Sequence, residues 1–276
     1  MLKPAFSWDV QANFTLARGY VLSLPRSLPE SYVSDTWLYG NVRAGVLPGI
    51  STMSLTGLYY LRVSSDSAGR KGQLLIDPTT GLPARSTTFI DAGYDRQPDF
   101  TIGLQNTIRY KHFTLDFLLD IRKGGDVFNA TEHYLTTHGL SKETLDREQP
   151  RVLQGVLMDG KQNSSNPTVN NIVIVPSAQA GYYTGMSEEL FIERNINWLR
   201  LRDLQVTYDV PGRFLGARNA SVFIKGTDLF LITNYSGLDP IVNGNSAAVG
   251  GSGGVGIDFG NFPMPIGVNV GVRMGF

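Results

Sequence analysis

The sequence predicts an all-β protein: an antiparallel, up-and-down transmembrane β-barrel segment of about seven or eight strands, with long loops at one end. Apolar and polar residues alternate with a period of two, which is typical of strands with one side facing lipid or a core. Several alternating runs reach the length of about 9–11 residues that a strand needs to cross a bilayer. Short and long connections follow one another between these runs, as in transmembrane barrels.

The composition is compatible with this fold and excludes several functional classes. The chain has 276 residues, 42% hydrophobic and 17% charged, and typical soluble domains carry more charge, roughly 25%. Its 24 basic and 24 acidic residues cancel, so we expect no nucleic-acid partner. Because the sequence contains no cysteine, disulfides, thiolate metal sites and cysteine nucleophiles are excluded.

Two targeting patterns are missing from the sequence. Residues 1–9 contain neither the apolar core nor the cleavage pattern of a signal peptide. No stretch reaches the roughly 20 apolar residues of a membrane helix, and the longest uncharged run, residues 240–257, is mostly Gly, Ser, Asn and Ala. A membrane-bound chain of this kind would cross the bilayer with strands.

The clearest predicted strands are the first run and a later hairpin. The first run has these apolar residues on one face: Phe6, Trp8, Val10, Ala12, Phe14 and Leu16. The hairpin spans residues 99–123 and turns at Lys111 and His112. Its apolar face comprises Phe100, Ile102, Leu104, Ile108, Tyr110, Phe113, Leu115, Phe117, Leu119 and Ile121. Asn106 is the one polar residue on that face, so both strands have the pattern of a lipid-facing pair.

Three further runs have a less regular pattern. Residues 50–62 form a candidate strand with these residues on one face: Met53, Leu55, Tyr59 and Leu61. Residues 196–210 alternate but change phase near Arg202 and Asp203, which predicts a β-bulge. Residues 219–232 form another candidate strand with an apolar side.

The last run alternates without interruption. Its apolar face comprises Val268, Val270, Val272, Met274 and Phe276. An apolar strand that ends in an aromatic residue resembles the signal by which bacterial outer-membrane proteins are recognised for insertion. We therefore assign these five residues as a candidate membrane-insertion signal, with the aromatic at the periplasmic interface of the membrane.

The connections predict how the strands traverse the bilayer, since transmembrane barrels have short periplasmic turns and longer outer loops. Two connections are short, at residues 111–112 and 211–218. Three are long and rich in Gly, Pro, Asn, Ser and Thr, at residues 63–98, 124–195 and 233–263. Residues 18–49 are longer than a periplasmic turn should be. Seven strands are visible, and residues 73–77 or 171–175 could supply an eighth, since bacterial barrels have an even number.

Five stretches of the sequence resemble SusC/RagA-type TonB-dependent outer-membrane transporters, in the order in which that family has them. They are QPDFTIGLQNT at 97–107, FLLDIRKGGDVFN at 117–129, NWLRLRDLQVTY at 197–208, GTDLFLITNYSGLDP at 226–240 and GIDFGNFPMP at 256–265. The likeness covers about residues 72–276 well and residues 1–71 weakly. Thr227 and Ile266 depart from the family, which often has Gln and Arg at these positions.

This resemblance implies that residues 1–276 are the C-terminal segment of a TonB-dependent receptor β-barrel, without its plug and N-terminal strands. It also implies an active transporter of the bacterial outer membrane that imports oligosaccharides or peptides. The implied partners are a SusD-like surface lipoprotein, outer-membrane lipid, and the TonB–ExbB–ExbD complex acting through the missing N-terminal region. Neither enzymatic activity nor a cofactor is expected.

Two other functions stay open on the sequence alone. A self-contained eight-stranded outer-membrane barrel could act as an adhesin or structural protein. A soluble carbohydrate-binding β-sandwich would also alternate, with its apolar faces turned inward.

The apparent chemical motifs have ordinary interpretations. The glycine run at 250–256 lacks the Lys-Ser/Thr that follows a phosphate-binding loop, and we interpret it as an outer loop. His133 and His138 do not have the spacing of metal ligands. Three aspartates on the polar strand faces are interpreted as lumen lining and not as the paired carboxylates of a glycosidase: Asp9, Asp116 and Asp120. Four loop tyrosines could stack on sugars or form the interfacial girdle: Tyr134, Tyr182, Tyr183 and Tyr235.

Overall fold

One antiparallel sheet of long strands forms a wall, and the connections at one end of this wall fold into an assembly of smaller sheets. The computed structural model describes residues 6–28, 30–34, 41–66, 68–212, 215–241 and 255–276. Below, "wall" means the six-stranded sheet, and "outer assembly" means the folded long connections.

The strands are, in chain order, β1 Phe6–Thr15, β2 Ser31–Ser34, β3 Val42–Val46, β4 Ser54–Gly57, β5 Leu75–Ile76, β6 Ile90–Asp95, β7 Phe100–Tyr110, β8 Phe113–Lys123, β9 Val127–Asn129, β10 Arg151–Val152, β11 Val156–Leu157, β12 Val173–Ile174, β13 Ile192–Glu193, β14 Trp198–Val210, β15 Asn219–Thr233, β16 Ile257–Asp258 and β17 Gly267–Gly275. An α-helix, α1, spans Ala130–Thr137, and 3₁₀ helices span Lys142–Thr144 and Glu188–Phe191. Among the described residues, none of the helices has the length and apolar character required to span a bilayer.

The wall has the strand order β1, β7, β8, β14, β15, β17, and each strand is antiparallel to its neighbours. The predicted hairpin is confirmed, because β7 and β8 pair from Phe100 opposite Lys123 to Tyr110 opposite Phe113. Lys111 adopts a left-handed conformation in the turn, with φ of 54°. Such a conformation is uncommon outside glycine, and here it allows the chain to reverse within two residues.

The predicted bulge in β14 is also confirmed. Its pairing with β8 shifts between Leu201 and Asp203, so that Arg202 is an extra residue relative to β8, and its pairing with β15 is irregular at the same place. An extra residue changes which side chains face each side of a sheet. The bulge therefore keeps Leu204 and Val206 on the same face as Leu201, and it explains the change of phase in the sequence.

The prediction that residues 50–62 form a wall strand is wrong. The regular part of this run is β4, which lies between β3 and β6 in a four-stranded sheet of the outer assembly. Leu55 and Tyr59 are fully buried there, so their alternation reflects packing into a protein core. β1 and β7 are direct neighbours, joined by residues 16–99 as one long connection. This corrects the count from seven wall strands to six and removes the inconsistency at residues 18–49.

The two segments considered for an eighth strand also lie outside the wall. β5 pairs in parallel with β11, and β12 pairs with β10, each over two residues. In the described part of the chain, the wall thus has six strands, and all three long connections leave it at the same end.

Two hydrophobic clusters hold the outer assembly together. The first consists of Val42, Leu55, Tyr59, Phe128, Ala130, Ile192 and Ile257. The second consists of Val127, Ile196, Trp198 and Tyr235. The first cluster contains residues from all three long connections, so these connections pack on one another instead of extending as separate loops.

Candidate functional site

One face of the wall is apolar from its first strand to its last. Cross-strand pairing places one row of side chains directly opposite one another: Trp8, Ile108, Leu115, Val206, Ile224 and Val270. A second row consists of Phe6, Tyr110, Phe113, Tyr208, Val222 and Val272. These rows leave large apolar side chains exposed, such as Trp8 at 61% and Val270 at 72%. A continuous apolar face of this extent requires lipid or protein to cover it.

The five candidate insertion-signal residues lie at one edge of this face. Val268, Val270, Val272 and Met274 project from β17, and Phe276 follows the strand with 81% of its surface exposed. β17 pairs with β15 on one side and with no other strand of the described residues. The structure therefore brings the four β17 residues into the apolar face and places Phe276 directly after them, and the role of all five as an insertion signal stays a prediction.

The opposite face of the wall carries the polar and charged side chains, and several of its charges are paired across strands. Ion pairs join neighbouring strands at Asp9–Arg109 (2.6 Å), Asp120–Arg202 (3.0 Å) and Asp203–Lys225 (2.8 Å). Asp116 accepts a hydrogen bond from the Thr107 hydroxyl at 2.6 Å. Asp9, Asp116 and Asp120 are thus each engaged by a basic or hydroxyl group on an adjacent strand, as expected for side chains that line a polar lumen.

Arg200 connects the wall to the third long connection. Its Nη2 lies 2.5 Å from Asp239 Oδ1, and its Nη1 lies 3.2 Å from Asp228 Oδ1. Asp239 also accepts hydrogen bonds from the backbone N–H groups of Ile241 (2.9 Å) and Met264 (3.1 Å). Burial acts to raise the pKa of Asp239, but the Arg200 guanidinium and the two N–H donors outweigh burial and lower the pKa.

Ion pairs with buried carboxylates join the first two long connections along a boundary that we call the seam. Glu188 pairs with Arg85, and Glu189 Oε1 lies 2.5 Å from Arg62 Nη2. Glu188 also accepts a hydrogen bond from the N–H of Asn41 at 2.9 Å. Burial raises the pKa of Glu189, although Arg62 opposes this effect. The seam is therefore fixed by two buried carboxylates, one paired with the partly buried Arg85 and the other with the exposed Arg62.

The four loop tyrosines lie in different environments. Tyr235 is buried, and its hydroxyl donates to Asp258 at 2.6 Å. Tyr182 packs edge to face on Tyr183 with ring centroids 4.8 Å apart. Tyr134 lies on α1 and is 47% exposed. The structure does not gather these rings into one stacking platform.

His133 and His138 lie on or beside α1, in a segment that the sequence analysis treated as part of a long loop. His133 Nε2 is 3.8 Å from Glu188 Oε1, whereas His138 Nδ1 is 2.8 Å from the Tyr134 carbonyl oxygen. In the part of the chain that the structure describes, no group of three or more His, Cys, Asp or Glu residues could hold a metal ion. Most of the glycine run, residues 250–254, lies outside the described residues.

Comparison with known proteins relates the chain to one class of receptor. No family model matches it. TonB-dependent receptors P3 and P26 of Formosa agariphila are each 26% identical to it, over 189 and 188 residues. These matches cover 66% and 65% of this chain but 17% of each receptor. The chain is related to the TonB-dependent receptors. It spans about a sixth of the length of these relatives, and the resemblance found in the sequence is confirmed.

Solved structures support the same relationship at the level of the fold. The RagAB peptide transporter superposes on the whole chain with a TM-score of 0.59 and 17% identity, and the match covers 28% of that transporter chain. The RagAB peptide importer in its open-open state gives a TM-score of 0.58 and 15% identity, with 27% of that chain covered. The chain therefore has an all-β fold similar to the matching part of these barrels, as predicted.

The sequence analysis missed the residues that fix the outer assembly. Glu188 and Glu189 meet Arg85 and Arg62 across about a hundred residues of sequence, with separations of 103 and 127. No local pattern encodes a contact of this kind. Asp239 lies in one of the family-like stretches, which could have marked it as a candidate. Its partner Arg200 lies in a different stretch, so the sequence did not reveal that the two residues form a pair.

Proposed function

We propose that this chain is the C-terminal wall segment, with its outer connections, of a TonB-dependent importer in the bacterial outer membrane. The complete transporter takes up oligosaccharides or peptides with a SusD-like surface lipoprotein. TonB–ExbB–ExbD supplies energy through parts of the transporter outside this chain. In this proposal residues 1–276 perform no covalent chemistry and instead supply wall, lumen lining and docking surface.

The observation that carries the proposal is the continuous apolar face of the wall. In a soluble sandwich a second sheet would cover that face, packed about 10 Å away. No second sheet of the described residues covers it, and Phe6 and Trp8 at its start remain 56% and 61% exposed. Lipid is the cover that suits apolar rows on one side of long strands with polar, charged rows on the other.

The open edges of the wall support a segment of a larger barrel. In the described residues, β1 pairs only with β7 and β17 pairs only with β15, so the first and last strands of the wall do not close on each other. A self-contained barrel has no open edges. Transporters with a plugged lumen have about 22 strands. In this proposal, the other strands of such a barrel pair with the open edges of β1 and β17.

The outer assembly supports the partner part of the proposal. Three long connections pack around one hydrophobic cluster at the end of the wall opposite the tight turns. A folded outer surface of this kind gives a lipoprotein a defined shape to dock on. By contrast, separate mobile loops would have to be ordered at an entropic cost.

The experiment uses the full-length transporter in its native host. One variant carries a peptide tag after Asn166 in the second long connection, and the matched control carries it between Lys111 and His112. Antibody should label intact cells only for the tag after Asn166 and should reach the control tag only after the outer membrane is permeabilised. Equal labelling of intact cells by both tags, or by neither, would contradict the proposed topology.

Uptake then tests the transport part of the proposal. Deleting the transporter should abolish growth on either an oligosaccharide mixture or a peptide mixture as sole carbon source. Deleting TonB or the adjacent SusD-like lipoprotein should have the same effect on the same substrate. Unchanged growth of the transporter deletion on both substrates would contradict the proposal, even if the topology were as expected.

A further inference from the structure

The seam between the first two long connections contains two adjoining cavities, which we call the seam groove. One has a volume of about 590 Å³ and the other about 700 Å³. Leu74 and Gln154 line both cavities and so form the ridge between them. Binding sites for small ligands have volumes of about 300–1,000 Å³, so each cavity is large enough to hold part of a ligand.

The smaller cavity is mainly apolar. It is lined by Leu74, Leu82, Leu153, Tyr182, Met186 and Leu190. Leu190 is 57% exposed, which leaves the apolar lining accessible from solvent. Arg85 also lines this cavity, but its guanidinium is occupied by Glu188 and by backbone carbonyls, including that of Leu58 at 2.9 Å. This cavity therefore offers mainly apolar contact, with few hydrogen-bonding groups.

The larger cavity is basic. Arg62 and Arg70 line it together with Gln73 and Asn170. Arg62 is half engaged by Glu189, whereas Arg70 donates to the neutral Gln73 Oε1 at 3.2 Å and has no carboxylate within ion-pair distance among the described residues. A cation that lacks a protein carboxylate beside a cavity attracts an anionic group of a ligand.

The walls of the groove are held in place before any ligand binds. Arg62 and Arg85 come from the first connection, and the carboxylates that they bind come from the second. The hydroxyl of Tyr60 accepts a hydrogen bond from the N–H of Ser187 across the same seam at 3.0 Å. Such preorganisation lowers the entropic cost of binding.

We propose that the seam groove binds a peptide that places an apolar side chain in the smaller cavity and an acidic group against Arg70 in the larger one. This inference deepens the proposed function, on which it rests, by assigning peptides with neighbouring apolar and acidic residues as the ligand class. An oligosaccharide would need many free hydrogen-bonding groups along its length, and the mainly apolar lining of the smaller cavity provides few of them.

The test measures binding to the purified full-length transporter by fluorescence polarisation. The probe is a dye-labelled synthetic pentapeptide with leucine and glutamate within three residues of each other. Competitors are the same peptide with glutamine for glutamate, the same peptide with serine for leucine, and a neutral glucan oligosaccharide. Each altered peptide should compete about tenfold less well, and the oligosaccharide should not compete.

Two matched pairs of variants locate the binding site. Arg70→Gln should weaken probe binding about tenfold, while Lys71→Gln, a neighbouring change outside the groove, should leave it unchanged. Leu190→Asp should weaken it as well, while Leu145→Asp, an exposed leucine elsewhere in the outer assembly, should not.

Equal binding by both members of each pair would overturn the proposal, as would competition by the oligosaccharide or full competition by either altered peptide. If tag topology and uptake were as expected while these results failed, the proposed function would stand and the groove assignment alone would fall. If the transporter deletion abolished uptake but all four variants bound the probe as the wild type does, the proposed function would likewise stand and the groove assignment would fall.

Discussion

Asn106 is a polar side chain on the apolar face of the wall, and a single neighbour satisfies its amide oxygen. It is buried, and its Oδ1 accepts a hydrogen bond from Trp8 Nε1 at 3.1 Å. In hydrocarbon no water can replace a lost donor, so the amide depends on this contact. The pair also ties β1 to β7 through side chains, in addition to the backbone ladder.

We predict that Trp8→Phe destabilises the full-length transporter by about 1–3 kcal/mol, because it keeps an aromatic ring but leaves the Asn106 oxygen unpaired. Asn106→Leu in the Trp8→Phe background should recover much of this loss, since it removes the unpaired group. Denaturant unfolding of the detergent-solubilised protein measures both effects. If the loss in free energy of unfolding of the double variant equalled the sum of the losses in the Trp8→Phe and Asn106→Leu single variants, the hydrogen bond would contribute nothing.

Asp239 makes the attachment of the third connection to the wall sensitive to pH. Its pKa is lower in the folded protein than the ordinary value of 3.8, so the folded state binds fewer protons than the unfolded state. The stabilisation is therefore present above pH 3.8 and is lost as the pH falls through the lower folded pKa.

We predict that the unfolding midpoint of the full-length transporter falls as the pH is lowered below about 4, and that Asp239→Asn removes part of this fall. Asp66→Asn, at an exposed position in the first connection, is the control and should keep the wild-type pH dependence. Identical pH profiles for the Asp239→Asn variant and the wild type would rule out this role of Asp239.

At the scale of elements, β8 offers a matched test of which wall face meets lipid. Leu118 and Leu119 are adjacent, but Leu119 lies opposite Leu104 and Leu201 on the apolar face. Leu118 lies opposite Gln105 and Asp203 on the polar face. The same residue type thus samples both sides of the wall at the same depth.

We predict that Leu119→Arg destabilises the full-length barrel by about 2–4 kcal/mol, as a charge near the bilayer midplane does. Leu118→Arg should cost much less, because it adds a charge to a polar lumen. Unfolding in lipid vesicles measures both changes, and spin labels at positions 115 and 117 should report lipid. Equal losses of stability in the two arginine variants, or spin labels that report water, would contradict the assignment of Leu119 to the lipid-facing side of β8.

The wall strands could be predicted because their environment has a period of two that the sequence must match. The same reasoning failed at residues 50–62, where Leu55 and Tyr59 alternate because they enter the core of the outer assembly. Alternation of apolar and polar residues shows that one side of a strand is shielded from water, but it does not show whether lipid or protein shields it. The helix α1 did have a local signal, since Asn129 caps it by accepting from the Glu132 N–H at 2.9 Å, three residues later.

The ion pairs of the seam were beyond prediction from sequence for a physical reason. Arg62 and Arg85 resemble any other arginines of a polar loop until the second connection places Glu188 and Glu189 beside them. Their energetic role depends on burial, and burial depends on the packing of both connections. The seam groove, which those pairs frame, was missed for the same reason.

At the scale of the whole molecule, the six wall strands and the position of their connections define one orientation. The turn at Lys111 and the segment that joins β14 to β15 lie at the same end, because Tyr208 is opposite Phe113. β17 ends there too, since Gly275 pairs with Asn219. Aromatic side chains gather at this end of the apolar face: Phe6, Tyr110, Phe113, Tyr208 and Phe276. Such a group is typical of the aromatic girdle at a membrane interface.

The last prediction concerns Phe276 and the edge strand that it follows. With the apolar face of β17, its exposed ring completes the candidate insertion signal and the interfacial aromatic group. We predict that Phe276→Ser lowers the outer-membrane level of the full-length transporter severalfold, whereas Phe276→Tyr keeps it near normal because an amphipathic ring suits the interface. Phe262→Ser is the matched control, since Phe262 is 93% exposed but belongs to the third long connection. Membrane fractionation and heat-modifiability on gels measure the outcome. Normal assembly of the Phe276→Ser variant would show that β17 is an ordinary edge strand without an insertion signal. An equal loss of outer-membrane protein in the Phe262→Ser variant would show a general effect of removing an exposed aromatic ring.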